Sequence, residues 1–213
     1  MSIGKNIPHD SGELHVTGRA LFTDDISLSH DSLHLAFGLS SIAKGSIVEL
    51  DLSKVVESDG VITVISAKDL LFTSDTSPSA NDEPLLSDGT IHFLGQPIFL
   101  VVASSHINAR KACRLARVNY KEEKPVLTIE DAIESKSMIA DGECHYIKGT
   151  PESAINAAPI KLTDSFYIGG QEHFYLEGQV AIAAPQEDGG LVIYSSTQHP
   201  TEIQHKVAEA TGL

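Results

Sequence analysis

The chain has 213 residues, 41% hydrophobic and 21% charged, an ordinary globular balance that excludes a disordered or fibrous chain and leaves room for one large or two small domains. No apolar run approaches the roughly 20 residues that span a bilayer, so no membrane partner is expected. Lys and Arg total 15 against 29 Asp and Glu, a formal net charge of −14, and no basic stripe stands out that could neutralise a phosphate backbone, which excludes nucleic acid as the expected partner.

Met1 to Asp10 lack the basic and apolar regions of a secretory signal, so a cytoplasmic location is expected. Leu33, Leu35, Phe37 and Leu39 alternate with His34, Ala36, Gly38 and Ser40, the period of a strand with one strongly apolar face. Asp51 to Asp59 reads as a short helix closed by Gly60, and the β-branched run Val61 to Ile65 as a buried strand. Ser66 and Asp69 have the S-x-x-D spacing of a helix start. Phe72 to Thr90 turns to Ser, Thr, Asp and Pro and predicts a long surface loop. Ile98 to Val102 predicts a second buried strand, entered through Gly95 and Pro97.

Ser105 then caps a helix in which Ala109, Ala112, Cys113 and Ala116 form a narrow small-residue stripe for close packing on a sheet. Arg110, Lys111, Arg114 and Arg117 gather toward its C-terminal end, where the macrodipole favours cations; a solvated face is the first reading and an anion site the second. Val118 to Tyr120 suggests a short strand, and Thr128 to Asp131 opens a further helix. Ser135 to Pro159 has no sustained period and marks a domain boundary. Beyond it Ile160 to Ile168, Gln179 to Ala184 and Leu191 to Tyr194 are strand-like, and Asp188-Gly189-Gly190 turns the last two into a hairpin. The end is helical, with Pro200 in the first turn and Gly212 at the C-cap. This second segment is short for a core of its own and is expected to lean on the first or on another copy.

The pattern assembles no complete active site. G-x-G-x-x-G, Walker A, H-E-x-x-H and G-x-S-x-G motifs are missing. Cys113 and Cys144 lie 31 positions apart outside any metal-ligand spacing and read as reduced thiols. Of the ten histidines, neither His30 with His34 nor His199 with His205 reads as a zinc pair. The densest polar and aromatic cluster runs from Gly169 to Gln179. Its two glycines free the backbone to approach a ligand, and Gln171 carries an amide that donates and accepts. On pattern alone it is first a turn and an irregular strand whose Phe174, Tyr175 and Leu176 enter a core, and second a site.

Gly169 through Glu177 resembles the G-G-Q-E-H-F-Y-L-E segment of xanthine dehydrogenases, and Ser195-Ser196-Thr197-Gln198-His199-Pro200 through Gln204 resembles the stretch that follows it in their bacterial-type molybdopterin-binding subunit. Pro8 to Ser11, Val16 to Ala20, Asp24-Asp25, Leu33 to Ser40, Asn81 to Pro84 and Phe93 to Ile98 fall in the same family's order, so the resemblance to the xanthine dehydrogenase and aldehyde oxidase family covers essentially the whole chain.

The resemblance implies an α+β chain: an α/β hammerhead domain over residues 12–134, a linker over 135–159 and the truncated start of a molybdopterin-binding domain over 160–213. It implies an oxidoreductase of purine catabolism that, when complete, hydroxylates xanthine or hypoxanthine with water as oxygen source. Electrons would leave its molybdenum-molybdopterin cofactor through iron–sulfur clusters and FAD on a partner subunit, and a homo-oligomer is implied. Gln171 matches the family glutamine beside an oxygen ligand of the molybdenum, a cofactor-facing residue that orients the metal rather than moving protons. The family's G-G-G-F-G-G-K stretch, its substrate-binding arginine and glutamate and its catalytic glutamate correspond to positions beyond Leu213, so the chain alone is expected to be inactive, to bind no cofactor and to hold no catalytic residue. Ala43-Lys44-Gly45 stands where eukaryotic relatives carry alanine-histidine-alanine, which favours the bacterial branch. The alternatives are a noncatalytic interaction module retaining the hammerhead domain, and a related aldehyde or heterocycle oxidoreductase.

Overall fold

In the computed structural model, which describes residues 3–70, 75–77, 82–138 and 145–213, the alternation around Phe37 forms strand β1 (His34–Leu39). Ala36 and Gly38 face inward, while Leu35, Phe37 and Leu39 are each about half exposed on the other side. The chain then forms β2 (Gly45–Asp51), the short helix α2 (Ser53–Val56) after an amino-terminal α1 (Gly12–Val16), and β3 (Val61–Ser66). After β4 (Thr90–Ile91) come β5 (Pro97–Ala103), α3 (His106–Cys113) and β6 (Arg117–Glu122).

Two antiparallel sheets result, one ordered β1-β5-β3 and the other β4-β2-β6. β5 holds the centre because its apolar run lies between two partners and beneath α3, leaving Ile98, Phe99 and Val101 with at most 1% of their surface exposed. Ala109 and Ala112 of α3 are fully buried, so the small-residue stripe does bring the helix close to the sheet. Ser105 caps it, its Oγ accepting from the Asn108 amide at 3.2 Å. Gly38 sits opposite Phe99 in the ladder, and a Cβ there would overlap the Phe99 ring. Val55 of α2 and Ile91 of β4 complete the core.

Beyond the sheets lie α4 (Ile129–Glu134), capped by Thr128, α5 (Pro151–Ala157), the hairpin β7 (Ala181–Pro185) and β8 (Leu191–Ser195), and α6 (Pro200–Thr211). The Asp188-Gly189-Gly190 turn closes the hairpin, with Gly189 at φ 84° and the Gln186 amide donating to the Gly190 carbonyl. Gly212, at φ 72°, ends α6 in the left-handed conformation. Among the described residues two hydrogen bonds tie the second segment to the first: Thr23 N–H donates to Glu177 Oε1 at 2.9 Å, and Lys206 Nζ to the Asp75 carbonyl at 3.1 Å.

Several expectations need correction. Phe72 to Thr90 is not simply a surface loop. Leu86 is 2% exposed, Ser87 is buried with its amide donating to the Pro97 carbonyl, and Asp75 bridges to Pro84. Residues 72–74 and 78–81 of that stretch, including Asn81, lie outside the described residues, as does Cys144. The helix start at Ser66 is a single 3-10 turn, Ala67–Asp69, with the Ser66 amide and hydroxyl both donating to Asp69. Ile160 to Ile168 forms no strand, and Leu162, Phe166, Tyr167 and Ile168 are nearly fully exposed: among the described residues no neighbour pairs with that backbone, and a strand without a ladder partner gains nothing from its apolar content.

Candidate functional site

The Gly169–Gln179 segment forms neither helix nor strand and lies between α5 and β7. Its anchoring comes from its C-terminal end. At the C-terminal flank Val180 and Ser196 are latched together, the Val180 amide donating to Ser196 Oγ at 3.0 Å and the Ser196 amide to the Val180 carbonyl at 3.1 Å. Thus a serine of the second sequence motif fixes the exit of the first. Glu177 provides the long-range tie by accepting from Thr23, itself 7% exposed, in the 3-10 turn Thr23–Asp25. No local pattern pairs side chains so far apart in sequence, which is why Glu177 and Ser196 were not legible as anchors.

Ahead of these anchors the segment is open. Phe174, Tyr175 and Leu176 are 93%, 56% and 88% exposed, so the expectation that they enter a core does not hold for this chain. Phe174 takes a positive φ of 51°, turning the backbone sharply in front of Tyr175, and its amide lies 3.4 Å from Glu172 Oε1. The side chain of Gln171 is exposed, and among the described residues no hydrogen bond reaches it. A Cβ on Gly169 or Gly170 would meet nothing within 4 Å, so both peptides are approachable from outside.

β8 and the inner face of α6 border an open groove of about 590 Å³ whose apolar wall includes Leu191, Ile193, Ile203 and Val207. His199 starts α6, its Nδ1 accepting from the Glu202 amide at 3.0 Å, so that imidazole is committed to capping. Among the described residues no three His, Cys, Asp or Glu side chains converge to hold a metal ion, and no helix is long and apolar enough to cross a membrane. Cys113 is a free thiol against β1, 3.5 Å from the Ala36 carbonyl, and burial pushes its pKa up, the reverse of an activated nucleophile. Arg110, Lys111, Arg114 and Arg117 are all solvent-exposed.

Comparison with known proteins covers both halves. The family model described as aldehyde oxidase and xanthine dehydrogenase, a/b hammerhead domain, matches residues 17–124, and the molybdopterin cofactor-binding domain model matches residues 132–213. Xanthine dehydrogenase of Drosophila subobscura is 38% identical over 99% of this chain and 16% of its own length; aldehyde oxidase 1 of Rattus norvegicus shows the same identity and coverage. The chain therefore spans about 16% of the length of these curated relatives. In fold it is similar to quinoline 2-oxidoreductase from Pseudomonas putida 86, with TM-score 0.81 and 24% identity over 100% of this chain and 29% of that one. It is likewise similar to the aldehyde oxidoreductase from Desulfovibrio gigas, with TM-score 0.80 and 24% identity over 97% of this chain and 25% of that one.

A molybdopterin group needs several donors converging on one pocket. The open peptides of Gly169 and Gly170 and the uncommitted amide of Gln171 are suited to one side of such a pocket, but among the described residues no side chain from another element lies against the two glycines or bonds to Gln171. The described residues of this chain do not enclose the group by themselves.

Proposed function

Because the chain belongs to the aldehyde oxidase and xanthine dehydrogenase family, we propose that the complete protein hydroxylates xanthine or hypoxanthine with water as the source of oxygen. The fold is an α/β hammerhead domain followed by the beginning of a molybdenum-cofactor-binding domain, and the family is one of oxidoreductases. In our reading residues 12–134 make up the first domain, 135–159 a linker, and 160–213 the opening of the second.

The observation that carries the proposal is the Gly169–Glu177 segment, anchored by Thr23 yet uncovered, with Gln171 uncommitted. We assign Gln171 to the molybdenum-molybdopterin cofactor, as an amide that orients the metal centre rather than transferring a proton. Iron–sulfur clusters and FAD belong in this reading to a partner subunit that takes the electrons, and the protein works in the cytoplasm as a homo-oligomer. In this reading the 213-residue chain alone is inactive.

One observation favours a second substrate class. Identity to the rat aldehyde oxidase equals identity to the Drosophila xanthine dehydrogenase, so an aldehyde or another heterocycle fits the family match equally well. The H-F-Y-L-E wording at His173 to Glu177 supports the purine by resemblance. Turnover of xanthine, hypoxanthine and an aldehyde per bound molybdenum in the complete protein decides between them. Faster purine turnover supports the proposal, faster aldehyde turnover replaces the substrate, and no turnover of any of them by molybdenum-loaded protein refutes the hydroxylase reading.

A further inference from the structure

We propose that the Asp59–Gly60 linkage isomerises spontaneously to isoaspartate, and that the fold directs this modification to Asp59 while shielding the same chemistry at Asp88 and Asp188. The reaction is intramolecular and needs no oxidant, reductant or enzyme. The glycine backbone nitrogen attacks the aspartate Cγ and loses its proton, a carboxyl oxygen departs as water, and a five-membered succinimide forms. Water then opens the ring at the original main-chain carbonyl, so the peptide runs through Cβ and Cγ and the former main-chain carbonyl carbon becomes a free carboxylate. One water leaves and one enters. The main chain gains a methylene at unchanged mass.

Glycine favours the attack because no Cβ crowds its nitrogen. Asp59-Gly60, Asp88-Gly89 and Asp188-Gly189 share that dipeptide, so the two residues alone do not rank them. Hydrogen bonding does, because attack needs a glycine N–H with no acceptor and a carboxyl group free to swing onto it. At the second pair the Gly89 amide donates to Ser87 Oγ at 3.1 Å, and Asp88 Oδ1 accepts from the Thr90 amide at 3.2 Å. At the third, the Gly189 amide donates to the Gln186 carbonyl at 3.1 Å, and Asp188 Oδ1 accepts from the Gly190 amide at 2.9 Å. Each of these pairs must give up two hydrogen bonds before nitrogen and carbon can meet.

At Asp59 neither group is held. Among the described residues no hydrogen bond reaches the Gly60 N–H, and neither a hydrogen bond nor an ion pair reaches the exposed Asp59 carboxylate. The cause is the shortness of α2. Its Ser53 and Val55 carbonyls are taken by the Glu57 and Ser58 amides, and Gly60, at φ 75°, then turns the chain directly into β3. Gly60 is held instead by its carbonyl, which accepts from the Ser104 amide at 2.8 Å. The added methylene therefore falls between the fully buried Val55 and Val61, which pairs with Ala103, and it lengthens the entry to β3. No residue of the Gly169–Gln179 segment takes part, so the inference stands or falls independently of the molybdenum reading.

Ageing the 213-residue chain at physiological temperature, once native and once in urea, tests it. Isoaspartate at each pair is quantified by proteolytic digestion and electron-transfer fragmentation, which separates isomers of equal mass. The native chain should isomerise at Asp59 at least about tenfold faster than at Asp88 or Asp188, since each shielded pair gives up two hydrogen bonds of ordinary net strength. In urea the three rates should converge, because the shielding belongs to the fold. This comparison needs no variant and decides the proposal by itself. As a further check, Ser87→Ala frees the Gly89 amide and should raise the Asp88 rate while leaving Asp188 slow. Native rates at Asp88 or Asp188 equal to that at Asp59, no isoaspartate at Asp59 in the native chain, or the same preference for Asp59 in urea would overturn the proposal, the last by tracing the preference to flanking sequence.

Discussion

Gly38 has a backbone conformation open to other residues, so Gly38→Ala tests packing and not torsional freedom. Removing the glycine's entropy from the unfolded chain favours the variant by about 0.4 to 1 kcal/mol. Against this, the new methyl would occupy the space of three Phe99 ring atoms, Cδ1, Cε1 and Cζ. The ring has nowhere to move: Phe99 is 1% exposed at the centre of β5, within a cluster of fully buried neighbours. Overpacking of this kind costs about 1 to 3 kcal/mol, so the overlap wins and the variant is destabilised. A double-mutant cycle isolates the cause. Phe99→Leu alone costs about 1 to 2 kcal/mol, but it clears ring volume, so adding Gly38→Ala to it should cost at least about 1 kcal/mol less than in the wild type. Urea unfolding of the four proteins, with the slope checked for constancy, gives the numbers. A stabilised single variant, or costs that add within about 0.5 kcal/mol, would refute the reasoning.

Ser105→Ala removes the acceptor for the Asn108 amide and should lower stability by about 1 kcal/mol, read from the urea midpoint; no change would show that α3 is held by its buried alanines alone. Glu177→Ala leaves the Thr23 amide without its acceptor at a cost of about 1 to 3 kcal/mol and should speed proteolytic cleavage within residues 160–178, whereas Glu177→Gln keeps an acceptor oxygen and should cleave more slowly than the alanine variant. The Ser77 hydroxyl, followed by the Ser77 and Glu83 amides and nearby Lys206, holds Asp75 below its ordinary 3.8. A depressed carboxylate contributes stability that is complete above the unfolded value and lost as pH falls through the folded one. Hydrogen exchange at the Ser77 and Glu83 amides should therefore stay slow to about pH 4 and accelerate below it in wild type, and be fast throughout in Asp75→Ala. In the complete protein Gln171→Ala should reduce turnover per bound molybdenum about 10- to 100-fold while leaving folding within about 0.5 kcal/mol; unchanged turnover would remove Gln171 from the site.

What the sequence made legible follows from how local each signal is. Strands β1, β3 and β5, the Ser105 and Thr128 caps, the Asp188-Gly189-Gly190 hairpin and the Gly212 stop all rest on neighbours within a few positions, and each forms where expected, although β3 is a half-exposed edge strand and not the buried strand its β-branched run suggests. β2 was hidden by a bulge. Between Ile47 and Glu49 the register shifts, Val48 points out at 70% exposure, and Ile47 and Leu50 both pack on the core although they are three apart, which erases the period of two. Leu86 was masked by polar neighbours whose backbone is satisfied by Pro97. At the candidate site the motif was legible as a motif, but its anchors were not, because Thr23 and Ser196 act on it from other parts of the chain.

The bond between Thr23 and Glu177 also has a place in time. The two residues are separated by 154 positions, so during synthesis at about 5 to 20 residues per second the amino-terminal turn exists for roughly 10 to 30 s before its acceptor is made. Throughout that interval the hammerhead sheets can close around β5, whose partners all precede residue 123, while the Thr23 amide still faces solvent. The early turn is thus finished by a late residue. Its closure records that the chain has been read through the Gly169–Glu177 segment, and a ribosome-stalled chain ending before Glu177 should carry a completed core with an unlatched amino terminus.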